Sequence, residues 1–244
     1  MSFYDMLSSR YDDIFPYDSA TADFILSHVP SLSKGGRVLD IGCATGSLAC
    51  DLASRGASVD AIDLDEAMIA KASARGSSAR FKATDMLDIR SVYGEGVFDA
   101  VVCAGNTIAH LPDASAVGEF FASIAAVLVE GGMVFVQAVN FDLVNEGRFP
   151  GFPVVERNGI RFERSYSPIE GSRRIRFSAS LAVDGGVKNE SSTDLYPVGR
   201  FELTAMALRA GFGVVESFSG FGGGAMHDDS LYVLIVGEKR SDCR

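Results

Sequence analysis

The sequence predicts an α/β fold in which a mostly parallel sheet is flanked by helices and carries an inserted antiparallel β flap. Short apolar runs recur about every 20 to 30 residues, and the stretches between them can form helices that stop at glycine. A later region instead alternates polar and apolar residues. Strand and helix in alternation favour a parallel sheet, whereas a period of two is typical of antiparallel strands with one buried face.

The core elements follow in order along the chain. The predicted strands are 37–41, 58–62, 79–83, 98–103, 133–139, 213–219 and 231–239, and the predicted helices are 47–56, 65–76, 114–132 and 201–212. The first three of these helices close on Gly56, Gly76 and the Gly131–Gly132 pair. Glycine ends helices readily because it adopts the left-handed conformation at little cost.

The region 141–195 differs from the rest. Its predicted strands are 160–165, 173–183 and 187–195, and Asp184-Gly185-Gly186 is a strong hairpin signal between the last two. We expect one domain over 1–244, with an N-terminal helical lid at 1–34, a core at 35–140 and 196–244, and a substrate flap at 141–195.

Composition narrows the class of protein. The chain has 244 residues, 47% of them hydrophobic, and its 22 basic and 32 acidic residues give a formal charge of −10. This charge disfavours nucleic acid as a partner, because such binding relies on Lys and Arg. The acidic N-terminus and the lack of an apolar stretch of ~18 residues predict a cytoplasmic protein without a membrane partner. We expect a monomer or homodimer.

The four cysteines predict no special chemistry. They lie at 43, 50, 103 and 243, with no CxxC pair and no His at ligand spacing. We therefore expect small buried side chains and no metal site.

Three acidic residues follow or end successive predicted strands. The run VLDIGCATGSLA (38–49) leads from a strand through Asp40 and two glycines, Gly42 and Gly46, into a helix. Asp63 ends the second strand, and Asp85 follows the third. Because ligands of such sheets bind beyond the carboxyl ends of the strands, these acids should meet at one site.

These residues resemble the motifs of class I S-adenosylmethionine-dependent methyltransferases over about residues 35–140 and 196–239. The resemblance implies a Rossmann-like seven-stranded sheet with one antiparallel strand, and S-adenosylmethionine as cofactor. It implies that Asp40 and the glycine turn hold the methionine end, Asp63 the ribose and Asp85 the adenine amino group, with Met86 on the ring. The full cofactor set implied is Tyr11, Asp40, Gly42, Cys43, Gly46, Asp63, Leu64, Met68, Asp85, Met86, Ala104, Gly105 and Asn106.

Two other classes share part of this pattern. A nicotinamide-dependent dehydrogenase has the same sheet and glycine turn, but the short-chain type uses a Tyr with a Lys four residues later, which no Tyr of this sequence has. A non-catalytic cofactor-binding protein would keep the three acids and lack a substrate. The flap and Asn140 favour an enzyme.

A narrower resemblance concerns the acceptor. The runs FDAVVCAGNTIAHLPD (98–113) and NFD (140–142) are similar to glycine and sarcosine N-methyltransferases and their small-molecule relatives. There Asn140 would orient a substrate amine or carboxylate; otherwise it caps a turn. Glycine enzymes place an Arg ahead of a Tyr-Pro pair, whereas this sequence has Ser192 ahead of Tyr196-Pro197. Glycine is therefore a poor candidate for the acceptor.

We expect in-line methyl transfer to a small molecule, more readily to an amine nitrogen than to a hydroxyl. An amine needs no dedicated base, whereas O-methylation would use His110 as the base; a structural role for His110 is the alternative. His227 lies in the loop between the last two strands, beside the same cleft. Arg174 and Arg176 share one side of a flap strand, which is a solvated face or a contact for an anionic substrate group.

Overall fold

The computed structural model of the protein describes residues 7, 10–186 and 188–241. In this part of the chain the strands are β1 Arg37–Ile41, β2 Ser58–Asp63, β3 Arg80–Ala83, β4 Phe98–Cys103, β5 Leu128–Val139, β6 Val155–Arg157, β7 Ile160–Pro168, β8 Ile175–Val183, β9 Asn189–Leu195, β10 Phe212–Phe218 and β11 Tyr232–Lys239. They form one sheet of seven strands and one of four.

The helices lie between these strands. They are α1 Tyr11–Ile14, α2 Ala20–His28, α3 Ser47–Ser54, α4 Glu66–Ser73, α5 Ile89–Tyr93, α6 Ala114–Val127, α7 Phe141–Asn145 and α8 Arg200–Arg209. Short 3₁₀ turns cover Pro30–Lys34, Met86–Asp88 and Thr107–His110.

The seven-stranded sheet confirms the predicted fold class. Its order is β3-β2-β1-β4-β5-β11-β10, and β1 to β5 pair in parallel. Strand β11 is antiparallel to both β5 and β10. All parallel strands therefore end at the same edge, and this edge carries the candidate site.

Helices cover both faces of the sheet. On one face, Phe120 and Phe121 of α6 and Leu203 of α8 pack in a fully buried cluster with the strands. On the other face, Ile25 of α2 and Leu52 of α3 pack in a second cluster. A sheet buried on both sides explains why its strands read as continuous apolar runs in the sequence.

The four-stranded sheet is the flap. Its order is β6-β7-β8-β9, and each neighbouring pair is antiparallel. One face presents Phe162 and Leu181, which pack with Leu7 and Ile14 of the N-terminal segment. Farther along, Ile175 packs with Ala109 and other core residues. The flap thus rests on both α1 and the carboxyl edge of the large sheet.

Several elements differ from the sequence prediction, which did not include the short helices α5 and α7. The helix predicted over 114–132 ends at Val127, because β5 begins at Leu128, which pairs with Phe98 in the parallel ladder. Gly131, predicted as a helix stop, instead bends the strand with a φ of +73°. Strand β6 was not predicted, since three residues are too few for a pattern of alternation to show.

Two sequence features lie outside the described residues, namely Tyr4 of the predicted lid and Cys243. No helix of the described part of the chain is both long and apolar enough to span a bilayer.

Candidate active site

The turn after β1 is tightly packed. The backbone N–H groups of Gly42 and Cys43 both donate to the carbonyl oxygen of Ile62, at 2.8 and 2.9 Å. Gly42 has a φ of +73°, and a Cβ there would collide with the side chain of Thr107. Glycine is required at this position both for the turn and for the close approach of the chain after β4.

Asp40 is the most unusual acid of the site. Its side chain is buried, and its Oδ2 has no hydrogen-bond partner among the described residues. Burial, together with the nearby carboxylate of Asp63, raises its pKa from 3.8 to about 7. An uncompensated buried carboxyl group costs free energy, so a cationic or N–H-bearing ligand at Oδ2 would stabilise it.

Asp63 and Asp85 are held by backbone N–H groups. Asp63 Oδ2 accepts from Ala44 N at 2.9 Å and its Oδ1 from Asp65 N at 3.0 Å. Burial raises the pKa of Asp63, and these hydrogen bonds oppose that effect. Asp85 caps the turn after β3, where its Oδ1 accepts from Leu87 N at 2.9 Å. Both carboxylates are fixed in direction and keep lone pairs for a ligand.

Helix α1 closes over the glycine turn. The Asp12 carboxylate accepts from the Thr45 hydroxyl and pairs with Arg75, which itself donates to the Thr45 carbonyl. The ring of Tyr11 packs at an angle against that of Phe15, with the ring centres 5.0 Å apart, and burial, followed by the Asp63 charge, raises the pKa of Tyr11. The lid segment is therefore anchored to the turn by charge as well as by packing.

These elements enclose a cavity of about 690 Å³. The lid contributes Tyr11, Phe15 and Pro16 to its wall, among others. The residues predicted from the sequence that line it are Tyr11, Asp40, Gly42, Cys43, Asp63, Leu64, Met68, Asp85, Met86, Ala104, Gly105 and His110. Among the described residues, no group of His, Cys, Asp and Glu is arranged to hold a metal ion.

Two residues of the predicted cofactor set, Gly46 and Asn106, are absent from this lining. Gly46 faces the interior, since a Cβ there would lie 2.7 Å from the Phe81 ring and 2.8 Å from Ala72 Cβ. Asn106 has a left-handed backbone, and its Oδ1 accepts from Val139 N at 2.9 Å. Both residues position the strand ends that form the cavity.

Asn140 lies at the carboxyl end of β5 and is buried. Its Nδ2 donates to the carbonyl oxygen of Ser230 at 2.9 Å and to that of Asp228 at 3.3 Å. Its Oδ1 is buried without a hydrogen-bond partner in the described part of the chain. Asn140 therefore ties the loop before β11 to the sheet while keeping one acceptor atom unused.

His110 lines the cavity from the turn after β4. In the sheet, β4 follows β3, β2 and β1, the strands that lead to the three acids. Burial, and to a lesser degree the charge of Arg174, lowers its pKa to about 4. His110 is thus neutral at pH 7 and a weak base. His227 is exposed and does not line the cavity.

The predicted pair of flap arginines is bound to Asp194. Arg176 pairs with the Asp194 carboxylate, with Nε 2.9 Å from Oδ1, and Arg174 donates to the Asp194 carbonyl. Arg176 is on a solvated face, whereas Arg174 is partly buried beside His110.

Several residues of the site were not predicted. Thr45 lies inside the glycine turn, so its hydroxyl, which donates to Asp12, could have been recognised from the sequence as a polar group at the site. Asp12, Arg75 and Phe15 meet the site only through tertiary contacts, so the sequence carried no local sign of their role.

The doubly wound sheet with one antiparallel strand, the glycine turn and the strand-end acids define a class I S-adenosylmethionine-dependent methyltransferase. A family described as "Methyltransferase domain" matches residues 38–132. A putative methyltransferase of Geobacillus sp. (strain WCH70) is 31% identical over 249 residues, covering 97% of this chain and 99% of the relative. The chain belongs to the S-adenosylmethionine-dependent methyltransferases.

Other relatives match over part of their length. The putative methyltransferase YqeM of Bacillus subtilis (strain 168) is 34% identical over 135 residues, 54% of this chain and 53% of the relative. A ubiquinone biosynthesis O-methyltransferase of Xylella fastidiosa (strain 9a5c) is 35% identical over 121 residues, 48% of this chain and 47% of the relative. The chain thus spans about half the length of these two.

Solved structures share the fold. An S-adenosylmethionine-dependent methyltransferase from Clostridium acetobutylicum superposes with a TM-score of 0.80 at 14% identity, covering 98% of this chain and 99% of the other. The sugar N-methyltransferase KedS8 from Streptoalloteichus sp. has a TM-score of 0.71 at 21% identity, covering 98% and 94%. In both, the likeness extends over the flap as well as the core.

Proposed function

We propose that this methyltransferase acts on a small molecule held between the carboxyl edge of the large sheet and the flap, and that it methylates an amine nitrogen. The observation that carries the preference for nitrogen is His110, because this cavity-lining base has a pKa of about 4. A base that weak gives little help in removing a proton from a hydroxyl group. A neutral amine can attack without it.

The cofactor site fits a ligand with cationic and polar parts and no phosphate. Asp40 Oδ2, buried and unpartnered in the described chain, suits the cationic methionine end. Asp63, fixed by two backbone N–H groups, suits the ribose hydroxyls, and Asp85 suits the adenine amino group. Leu64, whose side chain is 74% exposed beside Met86 and Met68 in the wall, suits the adenine ring.

The remaining residues of the proposed set complete the wall. Gly42, Cys43, Ala104 and Gly105 line the cavity with backbone and small side chains, and Tyr11 covers it from the lid. Gly46 and Asn106 act as positioning residues behind this wall.

The bound cofactor supplies a methyl group already activated by a sulfonium, so the protein has to align and shield the two reactants. The lid residues Phe15 and Pro16 form part of the cavity wall, where their apolar surface would help to keep water from the reacting groups. Asn140 Oδ1 is buried without a described partner at the end of β5, outside the cavity lining, and would accept a hydrogen bond from the N–H of an amine that extends to it, which would aim the nitrogen lone pair. The sequence run similar to glycine and sarcosine N-methyltransferases supports an amine acceptor.

Residues 1–244 form one domain in this proposal, with a lid at 1–34, a core at 35–140 and 196–244, and a substrate flap at 141–195. The negative charge of the chain supports a small-molecule acceptor in the cytoplasm rather than nucleic acid. The proposed assembly is a monomer or homodimer.

O-Methylation is the second candidate. The name of the Xylella relative supports it, as does the place of His110 in the cavity wall. It requires the acceptor to raise the pKa of His110 when it binds, or to arrive already ionised.

Two measurements separate the candidates. Formation of S-adenosylhomocysteine is followed with matched pairs of acceptors, such as benzylamine against benzyl alcohol and glucosamine against glucose. We expect turnover of amines, and we expect His110→Asn to lower kcat less than about threefold. A loss of about 100-fold or more in His110→Asn, typical of a missing general base, or turnover of hydroxyl compounds alone, would overturn the choice of nitrogen.

A further inference from the structure

The arginines of the flap fall into two groups. On its solvated side, Arg161 pairs with Glu156 and Glu163, and Arg176 pairs with Asp194. Arg164 differs from these. It pairs with no carboxylate of the described chain, and its Nε is buried without a hydrogen-bond partner.

Arg164 is surrounded by aromatic rings. Its guanidinium carbon lies 4.5 Å from the ring centre of Phe152 and 5.4 Å from those of Phe15 and Phe162. Burial lowers the pKa of Arg164. The ring faces offset part of the lost hydration of the cation, but they leave its buried Nε–H without an acceptor.

Arg164 does not line the cavity itself, but its guanidinium lies against Phe15, which does. Arg164 points to the same face of β7 as Tyr166, because the two are separated by one residue. The Tyr166 side chain lies near that of Asn106, which follows β4. Tyr232 lies near Arg164 and stands opposite Val139 at the carboxyl end of β5. Arg164 therefore lies on the side of the flap that faces the ends of β4 and β5.

A guanidinium in this setting is suited to an anion. Carboxylate and phosphate groups accept two parallel N–H hydrogen bonds from arginine. Their negative charge would compensate the positive charge of Arg164, which no described carboxylate of the flap pairs with. Arg174, the other flap arginine with a buried unpartnered Nε, already donates to the Asp194 carbonyl. Arg164 has no such bond to a described residue.

We propose that Arg164 binds an anionic group, a carboxylate or a phosphate, carried by the methyl acceptor. This rests on the proposed function, since it assigns the acceptor to the space between the flap and the sheet edge. It predicts that acceptors with an acidic group a few bonds from the methylated atom are preferred over their neutral analogues.

Calorimetric titration tests the anion site directly. The probes are pyrophosphate and succinate, each titrated with and without saturating S-adenosylhomocysteine. We expect saturable binding of one probe at one site per chain, weakened at least about tenfold in Arg164→Gln and partly restored in Arg164→Lys. The tighter of the two probes tells whether the natural group is a phosphate or a carboxylate. Arg161→Gln, on the solvated side of the same strand, is the matched control and should bind like the wild type.

Two results would overturn the proposal. One is the absence of saturable binding of both probes, and the other is equal affinity in the wild type and Arg164→Gln. Thermal unfolding tells a purely structural role apart: an anion-binding residue leaves the melting temperature of Arg164→Gln unchanged or raised, whereas a structural one lowers it. Titration of S-adenosylhomocysteine alone tests the cofactor site. If S-adenosylhomocysteine did not bind while an anion probe still did, the proposed function would be rejected and the anion site at Arg164 would remain supported.

Discussion

The edge formed by β1 to β3 and the face of the flap that carries Arg164 both contact α1, and they hold charged groups by opposite means. At the edge, the carboxylates of Asp63 and Asp85 accept hydrogen bonds from backbone N–H groups of the turns that follow their strands. On the flap, the Arg164 cation lies among aromatic rings from three separate segments. The first arrangement depends mainly on short turns and the second on tertiary packing.

This difference suits the two regions to different ligands, the edge to the cofactor and the flap to the proposed acceptor. Backbone N–H groups are present whatever the side chains are, so the edge suits a cofactor that is the same in every member of the class. Side chains brought together by packing change readily during evolution, and the flap can therefore adapt to a particular acceptor.

The largest expected effect lies in the glycine turn. In Gly42→Ala the new Cβ collides with Thr107 at a φ of +73°. We expect affinity for S-adenosylhomocysteine to fall at least about 100-fold, or about 3 kcal/mol, with a lower melting temperature. Gly105→Ala is the control, since its φ is +68° and nothing lies within 4 Å of the added Cβ. Equal losses in the two variants would show that backbone conformation, not close packing, limits the turn.

The second effect concerns the ribose contact. Asp63→Ala should weaken S-adenosylmethionine by about 1–3 kcal/mol, because a hydroxyl pair would lose its charged acceptor. Calorimetry measures the change, and Asp88→Ala, an exposed acid outside the cavity wall, should leave affinity unchanged. An unaltered dissociation constant in Asp63→Ala would mean that the ribose binds elsewhere.

The third effect is the pH dependence from Asp40, whose pKa rises from 3.8 to about 7 on folding without ligand. Between these values the folded chain holds a proton that the unfolded chain has lost. This group therefore stabilises the fold fully below pH 4, and that stability is lost as the pH rises through 7.

A cationic ligand needs the ionised form of Asp40. Affinity for S-adenosylhomocysteine should fall by up to about tenfold from pH 7 to pH 6 as Asp40 takes up a proton. Asp40→Asn should bind more weakly at pH 7 and show a flatter profile, with Asp63 as the remaining titrating neighbour. An identical slope in Asp40→Asn would assign the effect to another group.

The smallest effect concerns the lid, where α1 touches both regions. Asp12 faces the glycine turn through Thr45 and Arg75, and Asp13 faces the flap through Asn158. Asp12→Asn should weaken S-adenosylhomocysteine about threefold, since the half-exposed pair with Arg75 contributes at most about 1 kcal/mol. Asp13→Asn should leave it unchanged. A larger loss of affinity in Asp13→Asn than in Asp12→Asn would mean that the lid acts through its contact with the flap and not through the glycine turn.

The sequence predicted the large sheet and its edge in more detail than the flap. The large sheet, the glycine turn and the acids at its edge could be found because strand, turn and acid lie within a few residues of one another. The hairpin at Asp184-Gly185-Gly186 was found for the same reason, and it joins β8 to β9. Periodicity alone missed β6 and the early start of β5, since both depend on pairing with distant strands.

The roles of Phe15, Arg75 and Arg164 could not be predicted. Each meets its partners only through tertiary contacts between segments that are far apart in the chain. The sequence pointed to Arg174 and Arg176 instead, because neighbouring charges are visible in a sequence, whereas the lack of a described partner at the Nε of Arg164 is visible only in three dimensions.

Helix α1 contacts both the glycine turn and the flap, and so joins the proposed cofactor site to the proposed acceptor site. Asp12 joins it to the glycine turn, and the carbonyl of Ile14 accepts a hydrogen bond from Arg157 of the flap at 3.0 Å. A ligand that orders this helix for itself also orders it for the other, and such coupling is reciprocal. The factor by which S-adenosylhomocysteine tightens acceptor binding should therefore equal the factor by which the acceptor tightens S-adenosylhomocysteine.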